Sequence, residues 1–109
     1  MNSSLEINSP KSQKNHIVLL DKAQIAVDFL PTKDKEQFIN TINYLEDFPV
    51  CTKAQIYKLN PLNPNHFVAR NESDYRVIFK FQNREITIVD IVSRNRLKFI
   101  FGKLKNHKS

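Results

Sequence analysis

Residues 75–96, YRVIFKFQNREITIVDIVSRNR, constrain the fold more than any other stretch of this chain. From Tyr75 to Gln82, bulky apolar residues alternate with Arg, Ile, Lys and Gln, which is the period of a strand with two unlike faces. Residues 86–92 are apolar at nearly every position, as is typical of a strand that is covered on both sides or lies at the centre of a sheet. The stretch therefore predicts a central β-hairpin with arginines at its open ends.

The pairing within this hairpin depends on its turn. If Asn83 and Arg84 form a two-residue turn, Arg76 lies opposite Ile91 on an open face of the sheet, where a guanidinium contributes little to folding. Asn-Arg is a weaker turn signal than Asn-Gly, so a bulge that changes this register is an alternative. The residues expected to face the helices are Tyr75, Val77, Phe79 and Phe81, and those expected beside Arg76 are Ile78, Lys80 and Val89.

The net charge of +6 is concentrated at one end of the chain. Residues 1–92 contain eleven Lys/Arg and eleven Asp/Glu, whereas residues 93–109 contain six Lys/Arg and no acid. A basic end on a neutral body favours a polyanionic partner, either nucleic acid or an acidic protein. The alternative interpretation is a solvated basic tail.

Composition excludes several classes of protein. The single cysteine rules out an intramolecular disulfide framework, and no Cys/His cluster has zinc spacing. The single glycine, Gly102, excludes glycine-rich phosphate loops and dinucleotide fingerprints. The longest N-terminal apolar run, residues 17–20, is too short for a signal peptide. We therefore expect one cytoplasmic domain that uses no metal or cofactor.

The N-terminal half predicts an arm, a strand and two helices. Residues 1–15 are polar and without periodicity, which predicts a disordered arm, and residues 16–20 predict a strand. After Asp21, the apolar spacing favours a helix, although the β-branched Ile25 and Val27 make a strand the alternative. Beyond Pro31, Thr32 is expected to cap a second helix that ends before Pro49. The apolar faces of the two helices are Ala23, Ala26, Val27 and Leu30, and then Phe38, Ile42 and Leu45.

The remaining segments complete an α+β fold. Two short strands are expected at residues 55–59 and 66–70, separated by NPLNPN, which is typical of a loop. The order is β-α-α-β-β-β-β with a possible C-terminal helix, and both helices pack on one face of a small, mainly antiparallel sheet. We expect residues 16–104 to form the domain and residues 105–109 a basic tail.

Several segments together resemble a known family. They are a helix ending in leucine and proline, a second helix ending YLEDFP, a KL strand, and then FVARNESDYRVIFKF, EITIVDIV and RNRLKFIF. This pattern resembles the RelE/ParE superfamily of type II toxins over roughly residues 16–101. Its most specific elements are Tyr75 and Arg76, which open a strand, and Arg94, which lies just after the next strand.

The resemblance implies a function and a site. RelE-like toxins bind the ribosomal A site and cleave mRNA there, and a cognate antitoxin neutralises them in a toxin–antitoxin hetero-oligomer, whereas ParE-like toxins act on DNA gyrase. The matching positions here are Arg76, Arg94 and Arg70, with His66 near a position that often holds lysine or histidine. RelE-like nucleases commonly carry a tyrosine about six residues beyond the Arg94 position, where this chain has Phe99, Ile100 and Phe101. A phenylalanine can stack a base but cannot transfer a proton.

Metal-free RNA cleavage assigns roles to these residues. It needs a base for the 2′-hydroxyl proton, cations for the pentacovalent phosphate and an acid for the leaving oxygen. Arg76 and Arg94 are the candidate cations, since a guanidinium binds two phosphate oxygens and stays charged. His66 is the candidate proton carrier, and a plain surface histidine is the alternative. Candidate RNA-binding residues are Arg70, Lys80, Arg96, Lys98 and Lys103, of which those after residue 95 could equally form a solvated helix face.

Three hypotheses follow. The first is a RelE-like toxin, a ribosome-dependent mRNA endoribonuclease that inhibits translation. The second is a ParE-like toxin that binds DNA gyrase and has no nuclease activity. The third is a catalytically inactive protein with the toxin fold that only binds an antitoxin. The arginines and His66 favour the first hypothesis, and the missing tyrosine favours the other two.

Overall fold

The computed structural model describes residues 14–50, 55–60 and 63–99, which form five strands and three helices. The predicted arm up to residue 13, Lys103 and the predicted tail therefore lie outside the described residues. The elements, in chain order, are β1 (His16–Leu19), α1 (Asp21–Asp28), α2 (Thr32–Leu45), β2 (Gln55–Asn60), β3 (Asn63–Arg70), β4 (Tyr75–Gln82), β5 (Glu85–Ser93) and α3 (residues 94–99).

The five strands form one sheet in the order β1-β5-β4-β3-β2. β1 pairs with β5 in parallel, and the other three pairs are antiparallel. The predicted α+β class, its order of elements and its mainly antiparallel sheet are confirmed. No helix among the described residues is long and apolar enough to cross a membrane.

The two predicted helices are both present. α1 ends at Asp28, and Leu30 just before Pro31 is buried. Pro31, with extended dihedral angles, occupies the N-cap position of α2, so Thr32 is the first helical residue and not the predicted cap. Proline fits here because a helix start leaves backbone N–H groups without intrahelical partners.

The main core lies between the sheet and the helices α1 and α2. Phe79 and Leu45 are fully buried at its centre. Phe48, just after α2, packs edge-on against Phe67, Phe79 and Phe81, with ring centroids 5.0 to 5.4 Å apart. The other buried members of this core are Ala23, Leu30, Phe38, Ala69, Val77, Ile86, Ile88 and Ile91.

The β4–β5 hairpin has the predicted turn but a different register. Asn83 and Arg84 form the two-residue turn with φ values of 52° and 62°, as expected for a type I′ hairpin. Arg76 lies opposite Val92, so the predicted pairing with Ile91 is wrong. The reason is a bulge at Val89, which the pairing skips between Ile78 and Phe79.

The opposite face of the sheet carries a second, smaller core. Its buried residues are Val68, Ile78, Val92 and Leu97, and Leu59 and Val89 pack against them. Leu97 belongs to α3, so this helix covers part of the face that the sequence left open. Leu97 is 4% exposed and attaches this helix to the sheet, whereas Phe99 is 61% exposed.

Two segments are more ordered than their composition suggests. β2 ends at Asn60 and β3 begins at Asn63, so four of the six residues of the predicted NPLNPN loop belong to strands, and Asn60 pairs with Asn63. Asn15, at the end of the predicted arm, is buried, and its side-chain amide donates to the carbonyl oxygens of Leu45 (2.9 Å) and Phe48 (2.8 Å). These bonds satisfy carbonyls at the C-terminal end of α2.

Candidate functional site

Antiparallel pairing brings three arginines to one edge of the sheet. β3 ends at Arg70, β4 begins at Tyr75, and β5 ends at Ser93. Because β4 runs antiparallel to both neighbours, the start of β4 lies between the ends of β3 and β5. Arg70, Arg76 and Arg94 therefore converge although up to 24 positions separate them in the sequence.

These arginines line a cleft on the face of the sheet that also carries α3. The cleft has a volume of about 290 Å³. It is lined by Tyr57, Arg70, Arg76, Arg94, Leu97 and Lys98. We call it the arginine cleft. Four cations around a space of this size have the charge and donor geometry that would suit an anion with several oxygens, such as a phosphate group.

Arg76 forms the floor of the arginine cleft. The residue is 4% exposed, and its Nη1 donates to the backbone carbonyls of Ser73 (2.8 Å) and Tyr75 (3.2 Å). The expectation of a guanidinium on an open face is therefore wrong, since α3 and the 71–74 loop enclose it. Burial lowers the pKa of Arg76, and the positive charges of Arg70 and Arg94 lower it further. The guanidinium is thus fixed in place and short of compensating negative charge.

The loop that holds Arg76 is tied to helix α2. Ser73 Oγ donates to Asp34 Oδ1 (2.8 Å) and accepts the backbone N–H of Tyr75 (3.0 Å). The side-chain amide of Asn71 donates to the Gln37 carbonyl (3.2 Å) and to the hydroxyl of the fully buried Thr41. Through this loop, the position of Arg76 depends on α2.

Arg94 enters the arginine cleft from the first residue of α3. Its backbone N–H donates to the Asp74 carbonyl (2.8 Å), and its guanidinium lies 4.0 Å from the Asp74 carboxylate. The Arg94 side chain is 54% exposed, so this ion pair contributes little to stability. Arg94 thus combines a backbone tethered to Asp74 with an exposed charged end.

The other predicted site residues divide into two groups. Lys98 lines the arginine cleft, and Arg96 is exposed on α3 outside it. His66 lies opposite Lys80, four residues before Arg70 on β3, which is about 13 Å along a strand. Lys80 lines a second cleft beside the β4–β5 turn, with His16, Gln82, Asn83, Arg84, Glu85 and Thr87. The structure therefore groups Arg70, Arg76, Arg94 and Lys98, and it places His66 and Lys80 apart from them.

Sequence reasoning missed Tyr57. This residue lies opposite Val68, whose neighbours on the same face of β3 are His66 and Arg70. Its place in the cleft follows from the β2–β3 register, which the apparent six-residue loop concealed. The alternation of Ile56, Tyr57, Lys58 and Leu59 was the one available signal for its face.

Two further details concern charged and metal-binding groups. Asp90, an acid within the apolar strand β5, forms an ion pair with Lys22 at 3.1 Å. Among the described residues, no cluster of three His, Cys, Asp or Glu side chains is suited to hold a metal ion.

Comparison with solved structures finds this fold in toxin–antitoxin complexes. A chain of the RelE–RelB complex from Pyrococcus horikoshii OT3 is 25% identical, with a TM-score of 0.63 over 76% of this chain and 98% of that one. A chain of the RelB–RelE complex from Methanococcus jannaschii is 13% identical, with a TM-score of 0.63 over 77% and 98%. A chain of the E. coli DinJ–YafQ complex is 14% identical, with a TM-score of 0.55 over 77% and 98%. No family model and no curated protein match the sequence.

The fold defines the class of this protein. In this chain, two helices pack on one face of a small mixed sheet, and a basic cleft lies on the other face. The structural match covers 98% of each of the three chains named above. By its fold the chain belongs to the RelE/ParE superfamily, as its sequence pattern predicts.

Proposed function

We propose that this protein is the toxin of a type II toxin–antitoxin system and acts in the cytoplasm as a RelE-like, ribosome-dependent mRNA endoribonuclease. The observation that carries the proposal is the convergence of Arg70, Arg76 and Arg94 in one cleft. The three guanidiniums and the Lys98 ammonium repel one another, and other interactions of the fold have to offset this repulsion. A bound RNA phosphate would remove that cost.

The arginines supply the electrostatic part of the reaction. When the 2′-oxygen attacks the adjacent phosphorus, negative charge accumulates on the nonbridging oxygens. Arg76, held by two carbonyls, is a preorganised donor for this charge, and Arg94 closes from the exposed side. This step requires no metal, since the guanidiniums neutralise the phosphate themselves.

Further roles in RNA binding and proton transfer are proposals of the same kind. Lys98 and Arg70 would contact the flanking phosphate backbone, and the exposed Arg96 would extend that contact along α3. Lys80 and His66 lie farther along the same sheet face, where a longer strand of RNA would pass. His66 is the candidate base: it lies apart from the arginines, but it is the diagonal neighbour of Tyr57 across the β2–β3 pair.

The proposed partners are an antitoxin and the ribosome. The structures from Pyrococcus horikoshii and Methanococcus jannaschii are complexes of RelE with RelB, and the E. coli structure is a complex of YafQ with DinJ. These likenesses support an antitoxin partner for this chain and a RelE-like role over binding of DNA gyrase. The arginine cleft also favours a phosphate-containing substrate over a protein target.

Cleavage of mRNA on ribosomes tests the proposal. Purified full-length protein is added to ribosomes carrying a defined mRNA, and primer extension maps any cut. We expect cuts in ribosome-bound mRNA and none in the same mRNA alone. An Arg94→Ala variant should lose the activity, and a Lys33→Ala variant, which removes an exposed charge from α2 behind the sheet, should keep it.

A gyrase assay completes the test. DNA supercoiling by gyrase is measured with the same preparation of protein. Intact ribosome-bound mRNA together with inhibited supercoiling would overturn the proposal in favour of the gyrase-binding alternative. Intact mRNA with unaffected supercoiling, from a protein that binds the product of a neighbouring gene, would favour the inactive alternative.

A further inference from the structure

Tyr57 places an aromatic hydroxyl in the arginine cleft. The residue is 39% exposed, and it lines the cleft together with Arg70 and Arg76. It comes from β2, the edge strand of the sheet, and lies opposite Val68. The cleft therefore contains an aromatic hydroxyl, which residues 94–99 do not offer.

Packing does not explain why this residue is a tyrosine. The apolar residues that cover this face of the sheet are Leu59, Val68, Ile78, Val89, Val92 and Leu97, and Tyr57 is not among them. The residue instead lines a cationic cleft, where no buried contact of the core requires an aromatic ring. The feature that distinguishes tyrosine here is its hydroxyl.

Two guanidiniums lie close to Tyr57 in the arginine cleft. Arg70 is diagonal to Tyr57 across the β2–β3 pair, and Arg76 lies on the next strand. They would lie beside the negative charge that develops on the phenolic oxygen if that oxygen gives up its proton in a reaction. Burial lowers the pKa of Arg76, and the electrostatic interaction with Tyr57 counteracts part of that lowering, so the two side chains are close enough to interact.

We propose that Tyr57 is a catalytic residue, the general acid that protonates the leaving 5′-oxygen of the RNA. The inference rests on the proposed function and adds the proton donor that the arginines cannot provide. The 2′-oxygen forms a bond to phosphorus and gives its proton to His66 or solvent water. The bond from phosphorus to the 5′-oxygen breaks with its electron pair on that oxygen, which takes the proton of Tyr57 Oη. The products are a 2′,3′-cyclic phosphate, a 5′-hydroxyl and a phenolate that regains a proton from water.

A different role for Tyr57 gives a different mutational pattern. If the ring only stacks on a base, phenylalanine would replace it fully and alanine would not. If the hydroxyl donates a proton, phenylalanine and alanine would be equally harmful. Comparison of Tyr57→Phe with Tyr57→Ala therefore separates the two roles.

The experiment measures single-turnover cleavage of ribosome-bound mRNA. We expect Tyr57→Phe to slow cleavage by about 100-fold or more, the usual contribution of a general acid, with ribosome binding and melting temperature unchanged. A substrate with sulfur in place of the 5′-bridging oxygen has a leaving group that needs no proton, and it should restore Tyr57→Phe to near the parental rate. Tyr44→Phe, at a partly buried position on α2, is the matched control and should cleave both substrates like the parent.

Each outcome supports or overturns the inference. Parental cleavage by Tyr57→Phe would overturn it while leaving the proposed endoribonuclease intact. Slow cleavage that the sulfur substrate does not restore would also overturn it, because the hydroxyl would then act at another step. If the parent protein itself fails to cleave, the proposed function and this inference fall together.

Discussion

The guanidinium of Arg76 donates a hydrogen bond of 2.8 Å to the backbone carbonyl of Ser73. This contact links the cleft to helix α2, because the Ser73 side chain donates to Asp34 at 2.8 Å. The cation that the proposed reaction would use is thus also part of the tertiary structure. Substitutions at Arg76 will therefore change stability as well as activity, and the two effects need separate measurements.

Replacing Arg76 with alanine should destabilise the protein. The Ser73 and Tyr75 carbonyls lose a charged donor, and a residue that is 4% exposed leaves a gap. Relief of desolvation and of repulsion from Arg70 offsets part of the loss, so we expect a net decrease of about 1–3 kcal/mol in the free energy of unfolding. Urea denaturation measures it. Arg96→Ala, at an exposed position of α3, is the control and should change stability by less than about 0.5 kcal/mol. An Arg76→Ala protein as stable as its parent would show that these hydrogen bonds do not contribute to folding.

Arg94 separates activity from stability more cleanly. Its side chain is 54% exposed, and its ion pair with Asp74 spans 4.0 Å, so Arg94→Ala should change stability by at most about 1 kcal/mol. Loss of one donor to the transition-state phosphate should lower the cleavage rate about 100-fold or more. Single-turnover cleavage and thermal melting of one preparation give both numbers. Arg94→Lys keeps the charge but not the planar fork, so it should recover only part of the rate. An Arg94→Ala protein that cleaves like the parent would remove this residue from the site.

The hairpin and the helix pair could be predicted because local rules decide them. Period-two alternation assigns the faces of β4, and Asn83 and Arg84 tolerate the positive φ values that their turn requires. Pro31 separates two helices whose apolar spacing is clear. In each case, the residues that determine the element lie within it.

Three features depend on distant parts of the chain. They are the register of the β4–β5 pair, the burial of Arg76 and the position of Tyr57 in the cleft. The bulge at Val89 lies in a run of apolar residues, where no side chain marks it. Arg76 is buried on the face of the sheet onto which α3 packs Leu97. Tyr57 reaches the cleft through the β2–β3 register, which extends into a segment with the composition of a loop. Tertiary pairing decides these features, and local patterns do not report it.

Inorganic phosphate should stabilise the protein through the arginine cleft. At about ten times its Kd, a ligand that binds only the folded state adds about 1.4 kcal/mol, which corresponds to several degrees in the melting temperature of a domain of this size. Sodium chloride at equal ionic strength controls for screening. Phosphate also strengthens apolar burial in general, so the decisive comparison is between Arg94→Ala, which should lose most of the effect, and Lys33→Ala, which should retain it. Equal shifts in both variants would exclude specific binding at the cleft.

Asn15 should contribute to stability and leave the chemistry unchanged. Its amide donates to the Leu45 and Phe48 carbonyls on the side of the sheet away from the cleft. Asn15→Ala leaves buried acceptors without these donors and should lower the free energy of unfolding by about 1–3 kcal/mol. Asn43→Ala, on an exposed position of α2, is the matched control and should have little effect. If Asn15→Ala melts like the parent, these two hydrogen bonds do not contribute to stability.

Asn71 should act on the cleft from behind the sheet. Its amide binds Gln37 and Thr41 of α2, and its carbonyl oxygen accepts the backbone N–H of Ser73 at 2.7 Å. Asn71→Ala should loosen the loop that supplies the carbonyl for Arg76, and so lower the cleavage rate about tenfold while substrate binding, governed by the exposed Arg94 and Lys98, stays the same. Asn71→Asp retains the acceptor for Ser73 but loses the amide donor, so it tests the contact with α2 alone. If the residue only stabilises the fold, both variants would unfold at lower temperature yet cleave at the parental rate well below their melting temperature. A slower rate in a fully folded Asn71→Asp protein would instead show that α2 positions Arg76 for the reaction.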